Sequence, residues 1–215
     1  MNDIPDKNTF ASLYSGQPPW DIGRPQKALL DVADQITGSI LDAGCGTGDN
    51  ALFFASRGHK LTGIDFLEEP IQRAKRKAGE RALSVTFIVK DALTLKDWSE
   101  RFDNVIDCGL FHVFSDEDRK EYVDGLATVL KPAGRLFLLC FSDDEPGTQG
   151  PRRVSERELH DAFADGWAIE SIRPSRFEVV PNLKDFNFSE GGPKAWFAVV
   201  RRDRKSTRLN SSHSS

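Results

Sequence analysis

The chain has 215 residues, 39% of them hydrophobic and 29% charged, and its 33 acidic residues outnumber the 29 Lys and Arg for a net charge of −4. This length supports one sizeable core, and the 15 Phe and 4 Trp exclude a disordered chain. The acidic balance argues against a primary nucleic-acid binder, whose affinity comes mainly from neutralised phosphates. The three Cys lack metal-ligand spacing, which predicts reduced thiols and no metal. The sequence contains no apolar run of about 20 residues and no signal-like N-terminus, so we expect a cytoplasmic protein without a membrane partner.

Strands and helices are expected to alternate along the chain. After an irregular polar stretch over residues 1–23, Pro25 suits the first turn of a helix that ends near Gly38. The strands are predicted at residues 39–42, 60–64, 84–89, 102–108, 136–141, 167–174 and 195–201. Further helices are predicted at residues 49–57, 67–77 and 116–130, followed by a turn at 131–134 and a short helix that begins with a capping box at Ser155 and Glu158. This alternation predicts an α/β domain with a parallel sheet between two layers of helices.

Two segments between the predicted elements are unusually long. They cover residues 142–154 and 174–194, and neither contains a clear helical or strand pattern beyond the ends of its neighbours. Loops of this length in a compact domain are usually functional or mobile.

The last thirteen residues, DRKSTRLNSSHSS, differ in composition from the rest of the chain. Residues 203–213 match the in-frame translation of a common sequencing adapter codon by codon, so we expect a foreign, disordered tail. The alternative is a frayed polar terminus. The predicted domain then covers residues 1–202, with a net charge of −6.

A glycine-rich loop follows the first predicted strand. Gly44, Gly46 and Gly48 stand at the strand–helix junction, and Gly44 comes two residues after Asp42. Asp65 ends the second strand. The glycines allow a ligand to approach the main chain, and an acid at the position of Asp65 can accept hydrogen bonds from ribose hydroxyls. The alternative is an ordinary strand–helix turn beside a solvated carboxylate. A dinucleotide site favours G-x-G-x-x-G, and Asp42 would repel a diphosphate, so a ligand with a cationic centre is favoured, above all S-adenosylmethionine.

These residues resemble the motifs of the class I methyltransferases. The matching segments are residues 42–48, 64–66, 90–93, 102–109 and 130–136, and the resemblance extends over residues 25–202. It implies a Rossmann-like, seven-stranded, mostly parallel sheet with the last strand antiparallel, S-adenosylmethionine as cofactor and S-adenosylhomocysteine as product. The candidate cofactor-binding residues are Trp20, Arg24, Asp42, Gly44, Cys45, Gly46, Gly48, Asp65, Phe66, Asp91, Ala92 and Asp107.

The segment over residues 19–26, PWDIGRPQ, bears on the methyl acceptor. It resembles the N-terminal part of small-molecule members of the family: the thiopurine, halide and thiol methyltransferases and bacterial enzymes that methylate quinolone-like toxins. Residues 107–112 and 150–159 strengthen that comparison. The resemblance implies a helical lid over residues 1–37 with an aromatic acceptor pocket beside it. Two interpretations of Trp20 stay open: a residue of the lid or a half-buried core aromatic. Three stay open for Arg24: pairing with the cofactor carboxylate, pairing with an anionic substrate, or capping at the surface.

His112 is the one candidate catalytic residue. It follows the fourth predicted strand, and its ordinary pKa near 6.5 suits a general base; the alternative is a pocket wall between Phe111 and Phe114. Because methyl transfer is a displacement at an already activated carbon, positioning and exclusion of water can suffice. Cys45 and Cys108 are interpreted as packing residues and Cys140 as core.

The sequence therefore predicts an enzyme that transfers a methyl group from S-adenosylmethionine to an O, N or S atom of a small aromatic or heterocyclic acceptor. The alternatives are methylation of a protein or RNA and a non-catalytic module that binds the cofactor. Neither a nucleic acid nor a membrane is an expected partner, and the oligomeric state stays open, with a monomer slightly favoured.

Overall fold

The computed structural model describes residues 7–181 and 187–204. Its described strands form one seven-stranded sheet in the order β3-β2-β1-β4-β5-β7-β6. The first five strands pair in parallel, whereas β7 runs antiparallel to both β5 and β6, which confirms the predicted fold class. The strand bounds are β1 Ser39–Ala43, β2 Lys60–Asp65, β3 Thr86–Val89, β4 Phe102–Cys108, β5 Leu130–Phe141, β6 Trp167–Arg176 and β7 Lys194–Arg202.

Helices cover both faces of this sheet and divide the core in two. They are α1 Lys7–Tyr14, α2 Lys27–Leu30, α3 Asp49–Ser56, α4 Glu68–Glu80, α5 Asp116–Val129 and α6 Glu156–Ala162. Buried side chains of α2, α3 and α4 pack on one face, and those of α5 and α6 on the other. Because both faces are covered, the inner strand β5 is continuously apolar and buried from Leu136 to Phe141.

The predicted helix after Pro25 is shorter than expected. Only Lys27–Leu30 is α-helical, and a 3₁₀ turn follows at Ala33–Gln35. The Val32 N–H donates to the Leu29 carbonyl three residues back, so the backbone tightens and the regular helix ends.

The predicted turn at residues 131–134 is instead a bulge within β5. Leu130 pairs with Phe102 and Arg135 with Asn104, so β5 carries three more residues than β4 over this stretch. Ala133 takes a left-handed conformation there, with φ of 65°. The predicted capping box of α6 is present, with Ser155 and Glu158 each accepting from the other's backbone N–H.

The C-terminal tail falls almost wholly outside the described residues, at 205–215, so its foreign origin stays a prediction, as do the domain bounds. Asp203 still follows β7 closely, and its N–H donates to the Gly166 carbonyl at 3.0 Å. Among the described helices, none has the length and apolar character needed to cross a membrane.

Candidate functional site

A cavity of about 550 Å³ lies at the carboxyl ends of β1, β2 and β4. This is where open α/β sheets bind ligands, and the volume falls within the range of small-molecule sites, about 300–1,000 Å³. The cavity brings together ten of the predicted cofactor residues: Trp20, Arg24, Gly44, Cys45, Gly46, Gly48, Asp65, Phe66, Asp91 and Ala92. Asp42 and Asp107 lie outside its lining.

The glycine loop between β1 and α3 needs its glycines. Gly44, Gly46 and Gly48 all have left-handed backbones, with φ of 70°, 52° and 83°. A side chain at Gly48 would also come within 2.8 Å of Phe87 and 2.9 Å of Ala74. The loop therefore lies tight against the sheet and exposes its backbone to the cavity.

Two of the acidic residues that line the cavity, Asp65 and Asp91, accept hydrogen bonds from backbone N–H groups. Asp65 accepts from the N–H groups of Gly46 at 3.1 Å and Leu67 at 3.0 Å. Burial raises the pKa of Asp65 to about 6, although these hydrogen bonds favour the ionised form. Asp91 begins a 3₁₀ turn and accepts from the Leu93 N–H at 2.9 Å. Both carboxylates are thereby fixed at the ends of adjacent segments, where they can accept hydrogen bonds from a ligand.

Asp42 and Asp107 are buried behind the glycine loop. Burial and the neighbouring Asp107 raise the pKa of Asp42 to about 7, while the Ala51 backbone opposes the shift. Neither oxygen of Asp42 makes a hydrogen bond of normal geometry within the described chain. A buried carboxylate without a partner is costly, and a cationic ligand nearby would compensate it.

Asp107 is engaged differently. Its carboxylate accepts from the Leu110 N–H and the Tyr122 hydroxyl, each at 2.9 Å, and from the Phe111 N–H. Both oxygens are therefore used to shape the turn after β4. The structure therefore places Asp107 beneath the site and outside the cavity lining, and its predicted contact with the cofactor stays a prediction.

The N-terminal segment, residues 19–27, packs onto the glycine loop together with α1. Trp20 donates to the Tyr14 hydroxyl at 3.2 Å, and a side chain at Gly46 would meet that same hydroxyl at 2.8 Å. The Thr47 hydroxyl donates to Asp21 at 2.9 Å. Trp20 is 38% exposed at the cavity edge, which fits a covering residue better than a core residue. That this cover acts as a lid stays a prediction.

Arg24 has a protein partner that the sequence did not indicate. Its guanidinium makes a bidentate pair with Glu178, at 2.8 and 2.9 Å. Gln26 reinforces this junction, because its side chain donates to the Glu178 carbonyl and accepts from the Glu178 N–H, both at 2.8 Å. The N-terminal segment is thus tied to the irregular segment after β6, more than 150 residues away.

His112 lies in the cavity wall in a form that does not suit a general base. Its Nδ1 accepts from the Phe141 N–H at 2.9 Å, so the ring proton resides on Nε2. Burial, with the charges of Arg119 and Arg153, lowers the pKa of His112 to about 3, and the Gly109 backbone does not reverse the shift. The lone pair that a base needs is already used. Of the two predicted roles, the geometry supports the pocket wall.

Three phenylalanines that sequence reasoning missed complete this end of the cavity: Phe141, Phe177 and Phe188. The Phe141 ring lies 5.1 Å from the ring of His112, 5.2 Å from Phe177 and 5.7 Å from Phe188, measured between centroids. The available signal was the two long loops, since Phe177 and Phe188 lie in the second and Phe141 precedes the first.

Comparisons with known proteins agree with this geometry. A family described as a methyltransferase domain matches residues 40–134. The chain is 36% identical over 210 residues to the 2-heptyl-1-hydroxyquinolin-4(1H)-one methyltransferase of Mycobacteroides abscessus, covering 92% of this chain and 90% of the relative. It is 30% identical to the probable thiol methyltransferase 2 of Arabidopsis thaliana, covering 93% and 85%.

Solved structures extend the comparison. A structure described as the conversion of a disulfide bond into a thioacetal group during echinomycin biosynthesis matches with a TM-score of 0.81 and 37% identity, over 94% of both chains. The 1,6-didemethyltoxoflavin-N1-methyltransferase of Burkholderia thailandensis, with S-adenosylhomocysteine bound, shares the fold at a TM-score of 0.60 and 24% identity, over 92% of this chain and 77% of that one. The chain belongs to the class I S-adenosylmethionine-dependent methyltransferases. Among them it is similar to enzymes that act on small molecules.

The residues present fit this cofactor. When bound, S-adenosylmethionine supplies a methyl group on a positively charged sulfur. The unpartnered carboxylate of Asp42 beneath the loop favours a cationic ligand, and Asp65 and Asp91 offer acceptors in the wall. The protein's contribution is to bind and orient the reactants and to keep water out.

Proposed function

We propose that this enzyme methylates an O, N or S atom of a small aromatic or heterocyclic acceptor. The observation that carries the proposal is the aromatic end of the cavity, formed by Phe141, Phe177, Phe188 and the neutral ring of His112. It lies beside the glycine loop, so an acceptor held there is next to the cofactor.

The shape of this aromatic end favours a flat acceptor. His112 and Phe188 meet Phe141 nearly edge-on, with interplanar angles of 84° and 81°, and Phe177 is tilted by 48°. Ring faces and edges therefore point in several directions, and each aromatic contact with a ligand ring contributes about 0.5–1.5 kcal/mol beyond its buried area.

The relatives suggest two acceptor chemistries. One is named for a hydroxyquinolone and the other for a thiol. The aromatic wall favours the first, because a small thiol would leave most of these ring surfaces without a ligand contact. Methylation of RNA is less favoured, since the acidic net charge of −4 does not attract a polyanion.

A methyl-transfer panel tests the proposal by measuring S-adenosylhomocysteine release. The acceptors are 2-heptyl-1-hydroxyquinolin-4(1H)-one, a simple phenol, an alkyl thiol, thiocyanate, and a peptide and RNA mixture. We expect the quinolone to give the highest kcat/KM. Phe177→Leu should raise the KM for the quinolone and leave the affinity for S-adenosylhomocysteine unchanged.

Preferential turnover of thiocyanate or the alkyl thiol would contradict the aromatic acceptor. Tight cofactor binding with no turnover of any acceptor would instead support the non-catalytic module.

A further inference from the structure

We propose that Glu145, which does not line the cavity, is a positioning residue that holds Phe188 in place against the methyl acceptor. The inference rests on the proposed function, because it assumes that the acceptor binds at the aromatic end of the cavity. It adds a residue that contacts neither cofactor nor acceptor but affects the binding of the acceptor alone.

The carboxylate of Glu145 fastens the segment that carries Phe188. Glu145 is 2% exposed, and its Oε1 accepts from the Ser189 N–H at 2.9 Å while its Oε2 accepts from the Lys194 N–H at 2.8 Å. Burial acts to raise the pKa of Glu145, but these two N–H groups, together with the Ser189 side chain and the charge of Arg153, hold the pKa below its usual range. Both oxygens of an ionised side chain are therefore committed to the backbone on either side of one short stretch.

That stretch depends on such support. Residues 187–193 form neither helix nor strand, so they lack the hydrogen-bond ladder that fixes the neighbouring β7. Phe188 stands next to Ser189, and its ring lies against Phe141 at 5.7 Å. A shift of the Ser189 backbone would consequently move the ring that lines the cavity.

The loop that carries Glu145 is itself held in place by hydrogen bonds. Arg153 donates to the carbonyls of Glu145 at 3.0 Å and Pro151 at 2.7 Å, and its guanidinium lies 5.2 Å above the Phe141 ring. The Gln149 side chain accepts from the Asn187 N–H at 2.7 Å. Loop 145–153 and segment 187–194 therefore form one bonded unit around the aromatic end.

This unit is separate from the residues that line the cofactor end. The described hydrogen bonds of Glu145 reach Ser142, Ser189, Lys194 and Arg153, whereas Asp65 and Asp91 bond to the glycine loop and to the segments that follow them. Weakening Glu145 should thus change acceptor binding and spare cofactor binding.

Steady-state kinetics with the quinolone acceptor test the inference. Glu145→Gln replaces one acceptor oxygen with a donor, and we expect the KM for the quinolone to rise about tenfold while the KM for S-adenosylmethionine stays the same. Glu170→Gln is the control, because both carboxylate oxygens of Glu170 also accept hydrogen bonds, from Arg135 and Arg201, but Glu170 lies on β6 outside the cavity. It should leave both KM values unchanged.

A double-mutant cycle separates positioning from a general loss of structure. If Glu145 acts through Phe188, Glu145→Gln should raise the quinolone KM in the wild-type background and have no further effect in Phe188→Leu. Additive effects, or an equal rise in both KM values, would overturn the inference. If the wild-type enzyme methylates the quinolone and Glu145→Gln has the same KM for it, the inference alone is overturned. If the wild-type enzyme methylates no aromatic acceptor, the proposed function is overturned and the inference with it.

Discussion

His112 offers the sharpest test of how this site works, because its two possible roles predict opposite results for a single substitution. His112→Asn replaces the ring with a shorter side chain whose Oδ1 can still accept from the Phe141 N–H. His112→Leu keeps the apolar bulk and removes that acceptor. A wall residue needs the acceptor, whereas a general base needs a titratable ring.

The expected magnitudes follow from the contacts. In His112→Leu the buried Phe141 N–H loses its partner at 2.9 Å, and an unsatisfied buried donor costs about 1–3 kcal/mol. Both variants also lose ring contacts with Phe141 at 5.1 Å and Phe177 at 5.7 Å, each of about 0.5–1.5 kcal/mol. We therefore expect His112→Leu to be less stable than His112→Asn by about 1–3 kcal/mol.

Urea unfolding followed by tryptophan fluorescence measures the stability difference, and kcat against pH measures the chemistry. The pKa of His112 falls from 6.5 to about 3 on folding, so its contribution to stability is present above pH 6.5 and is lost as the pH falls towards 3. His112→Asn should lack this dependence and should retain kcat to within about tenfold. If His112→Asn instead lowers kcat by about 10²–10⁴ and removes the change in kcat near pH 6–7, the pocket-wall role is refuted and His112 is the general base.

Three further predictions concern the cofactor end and the N-terminal segment. Asp65→Ala should weaken binding of S-adenosylhomocysteine by about 1.5–3 kcal/mol in calorimetry, and unchanged affinity would remove Asp65 from the site. Folding raises the pKa of Asp42 to about 7, so the contribution of Asp42 to stability is present below pH 4 and is lost as the pH rises through 7. We therefore expect Asp42→Asn to have a higher melting temperature than wild type at pH 8 without ligand, and to bind S-adenosylmethionine more weakly. Gln26→Ala should lower the free energy of unfolding by about 1–3 kcal/mol, because Gln26 is buried and makes two hydrogen bonds to Glu178. Arg24→Ala should lower it by about 1 kcal/mol or less, because the ion pair of Arg24 is exposed. Equal losses in the two variants would contradict this ranking.

Much of the cofactor end was predictable because it is local in sequence. The loop from Gly44 to Gly48 requires left-handed backbones that glycine adopts without strain, and this requirement is visible in the residue types. Asp65 was predictable as well, because adjacent parallel strands bring their carboxyl ends to the same edge. The seven strands followed from their apolar runs, although the bulge at 131–134 did not, since a Pro and a Gly there suggest an ordinary turn.

The acceptor end was not predictable in the same way. Phe141, Phe177 and Phe188 meet from two loops and the end of β5, and nothing in their sequence spacing indicates that contact. Arg24 presented three possible partners, and the one it has, Glu178, lies in an irregular segment without any pattern.

By itself, then, the sequence determined the order of the strands and of the helices other than α1, the glycine loop and the acid that faces it, because backbone conformation and burial periodicity are set by neighbouring residues. Helix α1, Lys7–Tyr14, lies in the polar stretch over residues 1–23 that the sequence predicted to be irregular. The tertiary structure alone decided which nitrogen of His112 carries the proton, what Arg24 binds and how Glu145 holds Phe188. Each of these depends on groups that are distant in the chain and are brought within hydrogen-bond reach only by folding. A side chain's type shows what it can donate or accept, and only its folded partner shows what it does.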